Sequence, residues 1–335
     1  SSFLSIRFII LIYAIIFIIK KLDYFFKYFF IICLASLLLN IFAGAAQFFY
    51  NDGFSISLKE PSKFIISGFF GDEKKLGSFL CRLTPLVLGC YLLVSKKKVE
   101  EKIKNIMIFF IFLFSLVLLT QERVALIYCT FTFLFFIFFA AKINRRIIII
   151  FTLLITLIPL LAYMFNINNL KENVTNTYNQ ISPKDKWVYF SEQHQIFAIT
   201  SIELFKSKPI LGIGSNNFRR KCGEVSSDII AEYNLRNGNF QNCSTHPHNI
   251  FFQLLSETGL IGIIYYIIFN IFLFIETFKF LFKKNYNRIS FFFLLPVIYY
   301  FNPIFPSGNF FNNWYMCFGI LGLPFYLYLT KIKKS

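Results

Sequence analysis

Carboxylates and imidazoles are scarce in this chain: 17 of its 335 residues are acidic and 3 are histidine. The few acids form no cluster that would hold a divalent cation. The Cys and His residues lack the short paired spacings of a zinc site. There is no phosphate-cradling glycine loop and no Ser-His-Asp order. Alternation of polar and apolar residues over ten-residue segments, the mark of a membrane β-barrel, is missing. Internal repeats, low-complexity linkers, an initiating Met and a signal peptide are absent as well. These absences argue against an ATP-driven enzyme, a metalloenzyme and an outer-membrane pore.

What is abundant is apolar surface. Phe alone occurs 49 times, 56% of residues are hydrophobic and 15% are charged. A soluble domain of this size cannot hide so much in one core. Apolar runs near membrane-spanning length cover roughly 3–19, 28–46, 77–95, 105–120, 124–141, 147–165, 248–278, 289–304 and 314–330. The expected fold is all-α, a polytopic transmembrane helical bundle of about nine spans. The net charge of +17 does not mark a nucleic-acid partner. More than half of the 34 Lys and Arg fall in connectors near Lys20, Lys96, Lys142, Lys283 and Lys331, on alternate ends of successive spans. That is the positive-inside pattern. It puts the N-terminus outside and the C-terminus inside, and an odd span count with that start suggests helices missing upstream or a chain that is a fragment. The organisation expected is spans one to six over 1–165, a large outer loop over 166–247, and spans seven to nine over 248–335.

A loop of about 80 residues is far beyond an ordinary connection and is expected to be functional. It holds His194 and His246, with His248 at its end. Cys222 and Cys243 lie in it too. In an oxidising compartment they are expected to pair, closing a loop of about 20 residues at a gain of roughly 3 kcal/mol. The alternative is two free thiols. The other five cysteines lie in or near spans as apolar filler.

Three stretches can carry chemistry. In "STHPHNIFFQLLSETGLIG", Pro247 can begin a helix, placing His248 and Asn249 in the first turn of the seventh span. Asn249, Gln253 and Ser256 then share one face with Glu257 beside it, and such a face must point into protein or a wet cavity. A helix N-terminus there suits an anion. The alternative is that the histidines only cap the helix. In "LLTQERVALIYCT", Arg123 stands between two apolar runs with Glu122 as the nearby charge. It can fork two hydrogen bonds onto a phosphate, or it can snorkel from the span end. In "SKPILGIGSNNFRRKC", Gly212 and Gly214 permit a tight turn and close backbone approach, and Arg219, Arg220 and Lys221 follow. That basic cluster sits outside, against the topology trend; solvated charge is its alternative reading.

Taken together, these stretches resemble the O-antigen ligase and O-antigen polymerase family. The most specific piece is His248-Asn249, a gap of nine residues, then Gly259-Leu260-Ile261-Gly262. "PILGIGSNNF" is similar to the family's Pro-x-x-Gly-x-Gly-x-x-x-Phe run. "TQERVALI" is similar to its arginine-bearing turn, and "SGFFGDEKKLGSFLCRLTP" to its Gly-x-Phe-Gly-Asp segment. Fifteen residues before Pro209, where the family has an arginine, stands His194. The resemblance spans roughly residues 45–265.

It implies a GT-C-type membrane glycosyltransferase of the bacterial inner membrane, with its active face in the periplasm and no metal or other cofactor. The implied donor is a glycan on undecaprenyl diphosphate, and the acceptor a sugar hydroxyl on lipid A-core or on another lipid-linked glycan. The partners expected are therefore these two substrates and membrane lipid, with no nucleic acid. His248 and Arg123 take the catalytic roles. Arg219, Arg220, His194, His246, Asn249, Gly212 and Gly214 line the substrate. The rival reading is a transporter of an anionic lipid-linked substrate, whose charges would lie at mid-membrane rather than at the outer mouth. A non-catalytic scaffold for polysaccharide assembly is a second rival.

Overall fold

The computed structural model describes residues 6–50, 66–71, 73, 75–140, 145–164, 170–181, 188, 190–225, 243–284 and 286–332. Several residues singled out above lie outside that set. They are Asp72 of the Gly-Asp segment, Lys142, and the outer-loop residues 166–169, 182–187, 189 and 226–242.

Among the described residues the chain is helical, without strands. In order the helices are α1 (Ile6–Lys21), α2 (Phe25–Tyr50), α3 (Leu76–Val94), α4 (Val99–Thr120), α5 (Arg123–Ala140), α6 (Arg145–Met164), α7 (Leu170–Ile181), α8 (Glu192–Ser207), the single turn α9 (Phe218–Lys221), α10 (Ile250–Phe282), α11 (Arg288–Tyr300), α12 (Asn313–Ile320) and α13 (Gly322–Leu327). Of these, α2, α3, α4, α5 and α10 are long and apolar enough to cross a membrane, and α11 is apolar but shorter. The ninth apolar run does not form one straight helix. It is shared by α12, α13 and a π-helical stretch, Tyr328–Ile332.

Local chemistry explains the helix ends and interiors. Glu100 and Glu101 occupy the first turn of α4, where the helix dipole favours negative charge. That helix stops on Gln121 in a left-handed conformation (φ 58°). Inside the apolar helices, hydroxyls donate back to the preceding turn: Thr84 to Leu80 O at 2.8 Å, Thr132 to Tyr128 O at 2.9 Å and Thr277 to Leu273 O at 2.8 Å. A polar side chain thus meets its own needs where lipid supplies no partner.

By its contacts the chain divides into two units. One comprises Ala14–Asn173, Phe280–Pro296 and Gly322–Ser335. Its interior is aromatic: Phe110 packs edge-on to Phe133 at 5.1 Å, and Phe293 stacks on Phe325 at 5.1 Å. Gly89 admits the Phe293 ring, which a β-carbon would meet at 2.8 Å. In lipid such fit between helices matters more than apolar character itself.

The other unit comprises Ser1–Tyr13, Val174–Lys279 and Val297–Leu321. A small core of Phe197, Leu204, Phe218, Cys222 and Val225, with Ile213 and Cys243 against it, ties α8 to the α9 turn. The disulfide joins Cys222 to Cys243, with Cα atoms 5.1 Å apart.

Candidate functional site

In the unit built on α8 and α10, all three histidines of the chain come together. The His246 and His248 rings lie 4.2 Å apart, and His194 is 6.1 Å from His248. Phe197 stacks on His248 at 5.4 Å. Each imidazole meets a hydroxyl: His194 Nδ1 with Ser191 Oγ at 2.6 Å, His246 Nδ1 with Thr245 Oγ1 at 2.9 Å and His248 Nε2 with Ser244 Oγ at 3.1 Å. His246 Nε2 also meets the Ser307 carbonyl at 3.2 Å. Burial lowers the His248 pKa from its ordinary value, because a charged ring loses solvation there.

The helix starts at Ile250, three residues later than the position of Pro247 suggests. Asn249 is the cap: its Oδ1 accepts the Phe252 N–H at 3.1 Å while its Nδ2 donates to Pro303 O at 2.9 Å. His248 stands just outside the helix, with a left-handed φ of 55°. That uncommon backbone turns its ring back toward α8 and is fixed from the other side by the Ser307 N–H, which donates to His248 O at 2.8 Å.

The polar stripe of α10 points inward. Asn249, Gln253, Ser256 and Glu257 are all buried. Gln253 donates to Asn309 Oδ1 at 2.7 Å and accepts the Phe310 N–H at 2.8 Å. Glu257 accepts the Phe218 N–H at 2.8 Å and the Asn216 N–H at 3.0 Å. Asn309 closes the ring by donating to Asn216 Oδ1 at 3.1 Å. Sequence reasoning found the stripe but not its partners Asn216 and Asn309, nor Ser307 beside the histidines, which sit in loops where no periodicity marks them.

The two glycine motifs bind each other. Gly259 breaks α10 (φ 63°, ψ −156°), and the freed Leu260 N–H donates to Pro209 O at 2.8 Å. In return Ile213 N–H reaches Ser256 O at 2.9 Å and Gly214 N–H reaches Glu257 O at 3.0 Å. A β-carbon on Gly212 would strike the Glu257 carbonyl, and one on Gly259 would meet Pro209 O at 2.6 Å. The close approach these glycines permit is therefore to helix backbone. The turn leads into α9, where Arg219 and Arg220 are exposed, and Arg219 acts electrostatically on Glu257.

Arg123 belongs to the other unit, as the half-buried first residue of α5. Its neighbour Glu122 is committed elsewhere. Its carboxylate accepts the Gly77 N–H at 2.6 Å, the Ser78 N–H at 3.0 Å and the Ser78 hydroxyl at 2.6 Å, capping α3. Burial raises the Glu122 pKa, and these bonds and the charge of Arg82 oppose the rise. Arg82, on α3, lies over the Tyr128 ring at 5.5 Å. It was missed from sequence, although an arginine inside an apolar run is itself a signal.

Residues 108–267 match the family model described as O-Antigen ligase. Over those residues the chain is similar to the O-antigen ligases. That region takes in Arg123, the loop at Gly212 and the His248–Gly262 stretch, and it covers just under half of the chain. The segment with "GFFGD" lies before it. No curated protein and no solved structure matches the chain. The family together with several apolar helices supports a multi-pass membrane protein with a glycosyltransferase-like role in O-antigen assembly.

Proposed function

We propose that the protein is a glycosyltransferase of the GT-C kind that moves a glycan from undecaprenyl diphosphate to a sugar hydroxyl on the periplasmic face of the inner membrane. The observation that carries this reading, beside the family match, is the surroundings of His248. Its Nε2 already faces an alcohol, the Ser244 hydroxyl at 3.1 Å, so the ring is aimed at a spot where an acceptor hydroxyl can sit. Its lowered pKa keeps it in the neutral, proton-accepting form.

In the transfer the acceptor oxygen attacks the anomeric carbon and its proton passes to His248. The bond from that carbon to the diphosphate oxygen breaks, and the electron pair leaves with the undecaprenyl diphosphate, inverting the centre. Arg123 and the exposed Arg219 and Arg220 are the cations assigned to the leaving group's charge, in the role a metal plays elsewhere. His194 and His246 are assigned to the substrate side of the histidine cluster. Asn249, Gly212 and Gly214 hold the frame. The nine-span topology, with 166–247 on the active face, belongs to the same proposal.

Purified protein supplied with lipid-linked glycan tests the class of activity. Glycan transfer is the expected result; passage across liposomes without transfer would replace the enzyme with a transporter. Removing the protein from its cell separates the two acceptors. Bare core with accumulated lipid-linked polymer marks a ligase, and single repeats on core mark a polymerase.

A further inference from the structure

The loop joining α8 to the glycine turn ends in two large, exposed aliphatic side chains. Ile210 is 63% exposed and Leu211 is 70% exposed. Neither belongs to a candidate span. The tip is nevertheless fixed in place, because Pro209 O and Ile210 O accept from Leu260 and Ile261 at the Gly259 break. Whatever surrounds the first turn after the break therefore also surrounds the tip.

The length of α10 indicates what that is. Its two segments, either side of the Gly259 kink, hold about 50 Å of helix contour together, against a hydrocarbon core of about 30 Å. The buried polar residues Gln253, Ser256 and Glu257 all precede the break. After it, Leu260, Ile261, Ile264 and Tyr265 face outward. Residues 260–282 alone reach about 34 Å, enough to cross, and Lys279 marks the far end.

We propose that the membrane-spanning part of α10 begins at Leu260, that 250–258 stands clear of the hydrocarbon, and that Ile210 and Leu211 insert into the bilayer beside the first turn of the span. The partner of this surface is lipid. Three observations meet there: the exposed apolar tip is continuous with the exposed face of the span, its backbone is bonded to the helix as irregular backbone near lipid must be, and exposed Lys208 flanks it at headgroup level. His248 then lies before the break, on the part of the chain that stands clear of the hydrocarbon.

The test uses the full chain in phospholipid nanodiscs with Leu211→Trp, after Trp187→Phe and Trp314→Phe remove the native indoles. Lys221→Trp in the same background is the control for tryptophan's own affinity for interfaces. Brominated acyl chains should quench the Leu211→Trp emission about twofold or more, with a blue shift, while iodide quenches mainly the control. Iodide quenching equal to that of the control would put the tip in water and overturn the proposal. Protection from both quenchers would bury the tip in protein and overturn it as well. If Leu211→Trp does not fold, Ile210→Trp gives the same readings.

Discussion

Glu122 accepts the backbone N–H of Gly77 at 2.6 Å, across 45 residues of sequence. The turn between α4 and α5 thereby caps the start of α3. Gly77 is what lets the two come so close, since a β-carbon there would meet Thr120 Oγ1 at 2.6 Å. Glu122→Ala leaves two N–H groups and a hydroxyl without their acceptor and should destabilise the unit by about 2–3 kcal/mol. Glu122→Gln, which keeps an acceptor, should cost less. Because burial raises its pKa above 4.5, the folded state holds the proton longer than the unfolded chain, so stability falls as pH rises through that interval. Thermal unfolding of the detergent-solubilised variants across pH 4–7 checks both; equal unfolding temperatures for Ala and wild type would remove Glu122 as the cap.

The glycine clasp gives a second expectation. Gly212 and Gly259 combine left-handed φ angles of 67° and 63° with backbone in the path of any β-carbon. Backbone cannot swing aside as a side chain can, so Gly212→Ala and Gly259→Ala should each destabilise by about 3 kcal/mol or more. Gly223→Ala, whose β-carbon would lie 3.9 Å from Cys243 Sγ, should be close to neutral. A ranking that put Gly223→Ala level with the other two would show the clasp to be unimportant.

Much of this was legible in the sequence, and the reason differs by element. The apolar runs announced helices because lipid permits little else. The Asn249–Gln253–Ser256 spacing, with Glu257 beside it, announced a buried face because three to four residues make about one turn. What could not be read was the partner of each feature. Gly212 and Gly214 look the same whether they cradle a phosphate or another helix. Glu122 beside Arg123 looks like a local ion pair, yet its carboxylate is spent on Gly77 and Ser78. Arg82 stands out in its apolar run, but nothing in the sequence names Tyr128 as the ring it lies over, and His248's left-handed backbone has no sequence signature in a residue that is not glycine.

Arg123 is expected to depend on shape as well as charge. A guanidinium offers two parallel donors to a diphosphate, whereas an ammonium offers a point charge. Arg123→Lys should therefore keep the fold, since α5 begins in the same place, and lose transfer by about tenfold to a hundredfold. Single-turnover assays with lipid-linked glycan measure it. Turnover at the wild-type rate would contradict a forked contact with the leaving group.

His248 joins both predictions of mechanism, pH and proton transfer. Its neutral form is favoured in the fold because burial penalises the charge, so its pKa lies below the ordinary 6.5. Two consequences share that sign. Stability from the buried neutral ring is fully present above pH 6.5 and is lost as pH falls from there through the folded value. The transfer rate, if His248 is the base, should hold down to pH 6.5 and decline only below it. His248→Ala should fold, at a cost of about 1–2 kcal/mol for the lost stacking on Phe197, and should abolish transfer at every pH. Ser244→Ala is the informative companion. Its hydroxyl only fills the place at Nε2 that the acceptor is to take, so its removal should leave the rate within a few-fold of wild type. A loss as deep as that of His248→Ala would make Ser244 a participant, and an acid limb unchanged in His248→Ala would take the titrating group away from this ring.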